Sequence, residues 1–193
     1  VVLIRHSARD KFTKTMPKDE QNLQPLNSDG VALARSCGDA LRSNGLIVSK
    51  LVSSPIARCV ETATLLGTLL PVTQSEVLCA SPFSNEASAA GAWAKFKLKH
   101  GWSATVTAWL GDDGVPGVPC ASQLGEDAIQ FLCRQLQDDG LVVAVAHDLT
   151  VLCVLSAYTG GGIDASDVPF CGGLFLRADA LTAHAKRSQG IDI

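Results

Sequence analysis

Leu141-Val142-Val143-Ala144-Val145-Ala146-His147-Asp148 is the stretch that decides the fold. An unbroken apolar run stops abruptly at a histidine and a carboxylate. A short run without polar alternation is a strand buried on both faces, so it belongs inside a parallel sheet covered by helices. Val1-Val2-Leu3-Ile4 reads the same way and stops at Arg5-His6. Leu46 to Val52 is a further strand, followed by Ser54-Pro55, with serine as N-cap and proline in the first helical position. That helix runs through Val60, Ala63 and Leu66. Val72 to Leu78 and Gly173 to Arg177 are further strand candidates.

Helical periodicity fills the spaces between. Asn27 or Ser28 caps a helix with Val31, Ala34, Cys37 and Leu41 on one face and Gly45 at its end. A second runs from Gln123 to about Gln137, with Leu124, Ala128, Phe131, Leu132 and Leu136 on its apolar face. A third runs from about Leu149 to Tyr158 and ends at Gly160-Gly161-Gly162. Asp10 to Pro25, with Lys11, Lys14 and Lys18, reads as a polar loop. Alternating strands and helices predict an α/β fold, a three-layer α/β/α sandwich around a mostly parallel sheet. The whole chain, 1–193, is expected to form one domain.

Residues 82–119 differ in character and read as a small inserted cap. They hold Trp93, Trp102 and Trp109, a helical pattern from Asn85 to His100, and a Gly/Pro-rich close from Gly111 to Pro119. The tryptophans are expected to form the cap's core. Lys95 and Lys99 share a helix face, as an attractor for an anionic substrate or as a solvated surface.

Composition excludes several classes. The formal charge is −3, from 16 Lys+Arg against 19 Asp+Glu. A weakly acidic chain is poorly suited to nucleic acid, whose affinity comes from phosphate neutralisation. No run approaches the roughly 18 apolar residues of a membrane span. Cys37, Cys59, Cys79, Cys120, Cys133, Cys153 and Cys171 are odd in number and form no C-x-x-C pair. They read as free, mostly buried thiols, which leans towards a reducing, cytoplasmic setting. Targeting information cannot be read from a chain that opens on Val1.

Three groups fall at equivalent positions. Arg5-His6 ends one strand, Arg58 lies in the first turn after another, and His147-Asp148 ends a third. Ligands of open α/β sheets bind at the carboxyl ends of the strands, so topology brings these pieces together. Two imidazoles, arginines and a carboxylate suit a phosphate. Guanidinium forks match its oxygens, and a neutral imidazole can attack phosphorus. His100 and His184 do not share this setting and read as solvated.

These residues resemble the histidine phosphatase superfamily, whose fold is that of the phosphoglycerate mutases. That family opens with R-H-G, here Arg5-His6-Ser7. Its acid phosphatase branch extends this to R-H-G-x-R-x-P, which places Arg9 on the second arginine. The second block, S-x-x-x-R-x-x-x-T-A, appears as Ser54 to Ala63 with Arg58 at its arginine. The acid phosphatase branch ends in H-D-x-T, here His147-Asp148-Leu149-Thr150. The blocks occur in the family's order and span most of the chain.

The resemblance implies a metal-independent phosphatase without cofactor. It hydrolyses phosphomonoesters, of a small molecule or a phosphoprotein, through a phosphohistidine on His6. Arg5, Arg9, Arg58 and His147 would hold the phosphate, and Asp148 would protonate the leaving oxygen. Glu86 or Glu76 would take that role if the chain followed the mutase-like branch. Ser7 replaces the motif glycine and is expected to add its hydroxyl to the phosphate contacts. Lys11 replaces the motif proline. The chain is also shorter than typical members of that branch, so its cap is minimal. A catalytically inactive phosphate-binding module is the competing class.

Overall fold

The structure is a computed structural model. It describes all residues except 14, 68, 80–86, 112–113, 137–139, 161–162, 164–167 and 189–193, and omits the side chains of 87, 187 and 188. The described strands are β1 (Val2–Arg5), β2 (Val48–Ser53), β3 (Val72–Gln74), β4 (Leu141–Ala146) and β5 (Gly173–Phe175). They form one sheet in the order β3-β2-β4-β1-β5. All neighbours are parallel except β1 and β5. The apolar run Leu141–Ala146 is therefore the middle strand, and Val142 to Ala146 are all buried.

Helices cover both faces. On one side α2 (Ser28–Ser43) and α3 (Ala57–Leu65) contribute Leu41, Cys59 and Ala63 to a core with Val2, Ile4, Leu51, Val143 and Val145. On the other, α6 (Ala121–Gln135), α7 (Asp148–Thr159) and α8 (Ala178–Ser188) contribute Ile129, Leu132, Val151 and Leu181 against Leu3, Val52 and Ala144. Alternate residues of one strand serve opposite faces, as the pleat requires. This is the expected three-layer sandwich.

The helices α4 (Ala87–His100) and α5 (Trp102–Leu110) build a third cluster. Trp93 and Trp109 are buried there, with ring centroids 5.4 Å apart, against Leu149, Leu152 and Cys153. Trp102 is 42% exposed and only edges that core. Lys95, Lys99 and His100 are exposed.

Several local expectations change. The polar segment contains a short helix, α1 (Lys18–Leu23). Asn27 is the N-cap of α2, accepting from the Gly30 N–H at 2.9 Å. Ser54 does not cap α3. That helix starts at Ala57 behind Ile56, and the Ser54 hydroxyl is turned towards His147. The third strand stops at Gln74, because a 3-10 turn (Glu76–Cys79) buries Leu78 and Cys79. His184 is not in a solvated tail. It lies on α8, 2.8 Å from the Glu126 carboxylate and stacked on Tyr158 at 5.5 Å. Leu181 and Ala185 bury that helix with little apolar area, so its periodicity was faint.

Candidate active site

The register sets the site. Arg5 pairs with Ala146 across β1 and β4, so His6 and His147 leave the sheet side by side. The His6 N–H continues the ladder to the Ala146 carbonyl at 2.8 Å, and the Ser54 N–H does so to Val145 at 2.9 Å. The two imidazoles meet edge to face, centroids 5.4 Å apart. The parallel strands β1, β2, β3 and β4 end at the same edge, where α3 and α7 begin.

Arg58 links the two rings. Its Nε donates to His6 Nε2 at 3.1 Å, its NH2 lies 3.5 Å from His147 Nδ1, and its NH1 donates to the Gln21 carbonyl at 3.0 Å. The other ring nitrogen of His6, Nδ1, donates to the Ser7 carbonyl at 2.7 Å. A guanidinium only donates and a carbonyl only accepts, so His6 is neutral with its proton on Nδ1 and a lone pair on Nε2. Burial, then the Arg58 charge, push His6 down to about 3, against the opposing pull of the Ser7 carbonyl. His147 is held well below the ordinary imidazole range, first by burial and then by Arg58, His6, Arg5 and Arg9.

The remaining cations flank this pair. Arg5 pairs with the Asp148 carboxylate at 3.2 Å, donates to the Val168 carbonyl, and lies 4.3 Å over the Phe170 ring. Arg9 stacks 3.4 Å above Phe12 and donates to the Asp10 carbonyl at 2.7 Å. Arg9 is lowered to about 10, by burial and then by Arg58 and Arg5, and stays charged at neutral pH. Arg5 Nε and Arg9 Nε are buried without a hydrogen-bond partner among the described residues. A buried donor left unpaired costs about 1–3 kcal/mol. An anion offering several oxygens is the natural remedy.

The other carboxylate expectations fare differently. Asp148 opens α7. Its Oδ1 accepts from the Leu149 N–H at 2.8 Å, its Oδ2 faces Arg5, and its side chain is 30% exposed. Glu76 is exposed on the 3-10 turn. Glu86 lies outside the described residues. Among the described residues, no cluster of His, Cys, Asp or Glu is grouped to hold a metal ion.

Ser7 corrects an expectation. Its side chain is fully buried and its hydroxyl donates to the Gly30 carbonyl at 2.7 Å, so it holds the loop from behind rather than facing a ligand. Its N–H donates to Thr62 Oγ1 at 3.0 Å. Gly30 is the partner because α2 presses on this loop: a Cβ there would stand 1.9 Å from the Ala8 carbonyl oxygen.

These features match a known family over most of the chain. The model of the histidine phosphatase superfamily (branch 1) matches residues 1–169. The chain belongs to the histidine phosphatase superfamily. Solved structures of similar fold include a mycobacterial glucosyl-3-phosphoglycerate phosphatase in complex with VO3. It is 17% identical, with 89% of each chain covered and a TM-score of 0.62. Phosphoserine phosphatase from Entamoeba histolytica is 17% identical over 85% of this chain and 80% of its own, TM-score 0.59. YhfR of Bacillus stearothermophilus is 18% identical over 89% and 86%, TM-score 0.58. A human relative, ubiquitin-associated and SH3 domain-containing protein A, is 45% identical over 49 residues, 25% of this chain and only 7% of that protein.

Sequence reasoning for a histidine phosphatase missed the shell around these groups. Phe12 and Phe170 stack on arginines, and Cys59 and Cys79 stand behind His147. Phe12, an apolar residue alone among polar ones, was the available signal. All seven cysteines are free, with Cys59, Cys79 and Cys153 buried and Cys120 exposed.

Proposed function

We propose that the protein is a metal-independent phosphoric monoester hydrolase of the acid phosphatase type, with His6 as its nucleophile. One observation carries this reading: the buried His6 ring is neutral, and its Nε2 lone pair lies among arginines. That nitrogen would attack phosphorus as the bond to the leaving alcohol breaks, giving a phosphohistidine. Arg58 would shift its Nε from the ring to a phosphoryl oxygen. With Arg5, Arg9 and His147 it would hold the developing charge on the equatorial oxygens. The arginines supply the positive charge that a metal would otherwise provide.

Asp148 is the proton donor in this reading. It is the carboxylate tied to His147 by sequence and to Arg5 by its ion pair. Once the phosphate draws Arg5 to itself, Asp148 would take up a proton from solvent, give it to the leaving oxygen and later take one from the attacking water. Two of the structural relatives are phosphatases, which supports hydrolysis over phosphate binding alone. Residues 82–119 would act as a small cap within a single 1–193 domain. The substrate would be a phosphorylated small molecule or a phosphoprotein.

Turnover of p-nitrophenyl phosphate with and without excess chelator tests the reading. The rate should be the same in both, and acid-labile, alkali-stable phosphate should be trapped on the wild type but not on His6→Ala. Absence of turnover would favour a binding module. Loss on chelation, restored by a divalent ion, would overturn the mechanism. A screen of phosphorylated metabolites and phosphopeptides would then find the substrate.

A further inference from the structure

We infer that a phosphoryl dianion entering this site binds together with a proton, taken up from solvent at Nδ1 of His147. The inference rests on the reading that the arginine cluster holds a phosphoryl group.

The hydrogens around His147 can be placed one by one. Arg58 NH2 has no lone pair, so its 3.5 Å contact makes His147 Nδ1 an acceptor. The proton of the neutral ring is then on Nε2. Everything on that side agrees. The Cys59 thiol spends its hydrogen on the Ala146 carbonyl at 3.5 Å and offers Nε2 only a sulfur lone pair, 3.7 Å away. The Ile56 N–H donates to Ser54 Oγ at 3.3 Å. The Ser54 hydroxyl can then donate to Cys79 Sγ at 2.9 Å and keep a second lone pair for His147 Nε2 at 3.1 Å. With Ser54 donating to Cys79, every hydrogen in the cluster has an acceptor and His147 Nε2 keeps its own.

The consequence falls on the opposite edge of the ring. Nδ1, on the Arg58 side, is bare, and a bare nitrogen repels a phosphoryl oxygen. Moving the existing proton from Nε2 would leave that nitrogen facing a lone pair of Ser54 Oγ while the Ser54 hydrogen is on Cys79, so His147 helps hold the anion by gaining a second proton. In the free protein that proton is opposed first by burial of the ring, then by Arg58 on α3 and by His6, Arg5 and Arg9 around β1. Asp148, at the head of α7, is already paired with Arg5. A bound dianion offsets those cations and reverses the field at Nδ1. His6 needs no such step, since its Nδ1 proton is already placed on the Ser7 carbonyl.

Tungstate is a suitable probe, being an unprotonated dianion at mildly alkaline pH. Calorimetric titration in two buffers of different ionisation enthalpy should show uptake of about one proton per tungstate bound. His147→Gln should bind more weakly and without uptake. Imidazole nitrogen spectra should show His147 protonated at Nε2 in the free protein and at both nitrogens with tungstate. Cys79→Ala frees the Ser54 hydroxyl to donate to Nε2, so it should shift the free ring towards Nδ1–H and reduce uptake. Tungstate binding without uptake, or uptake unchanged in His147→Gln, would overturn the inference and leave the phosphoryl site standing. Failure of tungstate to bind would overturn both.

Discussion

At the end of β1 the chain leaves the sheet for a loop; at the end of β4, its neighbour, it turns directly into a helix. Each strand delivers a histidine to the same edge, but the two rings find different partners. After β1 the Ser7 carbonyl is free to accept the Nδ1 proton of His6 at 2.7 Å. After β4 the equivalent residue, Asp148, is already the first residue of α7, so its carbonyl is turned along the helix. His147 therefore turns its Nε2 to a side chain from the next strand end, Ser54. Loop or helix at the strand end thus decides which nitrogen faces Arg58, and so which ring is ready to attack and which to hold.

The largest expected effect would break or establish this division of labour. His6→Ala should lose several orders of magnitude in turnover and all phosphoenzyme. His147→Ala should lose roughly 10²–10³-fold, the usual cost of removing one group that stabilises transition-state charge, and still form phosphoenzyme. Steady-state rates with acid-quenched labelling measure both. Equal losses with no trapped phosphate in either variant would mean that the two rings act as one unit.

Arg58 touches both histidines, so its removal sharpens the contrast next. Arg58→Ala should reduce kcat/KM by roughly 10²–10³-fold and weaken inhibition by vanadate. Arg58→Lys should recover only part, because a point charge cannot face His6, His147 and Gln21 at once as the planar fork does. Arg9→Ala should cost less, since that side chain is half-exposed and rests on Phe12. A lysine variant equal to wild type would show that charge alone is needed.

The same contrast separates what the sequence made legible from what it did not. Arg5, His6, Arg58, His147 and Asp148 were readable because parallel strands must end at one edge, and apolar runs show where strands end. The central strand was read to the residue, Leu141 to Ala146, because it is buried on both faces and carries no competing pattern. Ser7 was misread because loop side chains are not fixed by a sheet's periodicity. Only the close approach of α2 at Gly30 turns its hydroxyl inward. Cys79 and Phe12 were missed for the same reason: a 3-10 turn and a loop carry them into place. The helix α8 escaped because it buries only Leu181 and Ala185 among its described residues, in an otherwise small or polar sequence, and α5 because its threonines and valine are weak helix formers.

A smaller effect concerns the leaving group. Asp148 sits one residue beyond His147, where no counterpart stands beyond His6. A general acid matters when the leaving alcohol is poor and little when it is stable as an anion. Asp148→Asn should therefore slow an alkyl phosphate about tenfold or more beyond its effect on p-nitrophenyl phosphate. Glu86→Gln is the control and should affect both substrates little. Selectivity appearing in Glu86→Gln instead would move the donor to that glutamate.

The smallest effect is one in which the two histidines, unlike in chemistry, act alike. Both are folded in the neutral state, His6 lowered to about 3 and His147 well below its ordinary value. In the unfolded chain each titrates near about 6.5. Between those limits the unfolded state binds protons that the folded state refuses, so the free energy of unfolding rises with pH there. Stability from both rings is complete above about 6.5 and is lost as the solution is acidified, for His6 down to about 3. Urea midpoints should thus fall between about pH 7.5 and about pH 5. His6→Gln and His147→Gln should each flatten that fall, by amounts that do not add, because rings this close titrate as a coupled pair. A flattening in one variant alone would mean that the other ring already carries its proton when folded. For His147 that outcome would place a hydrogen on Nδ1 before any anion arrives, and the contrast between the two strand ends would disappear.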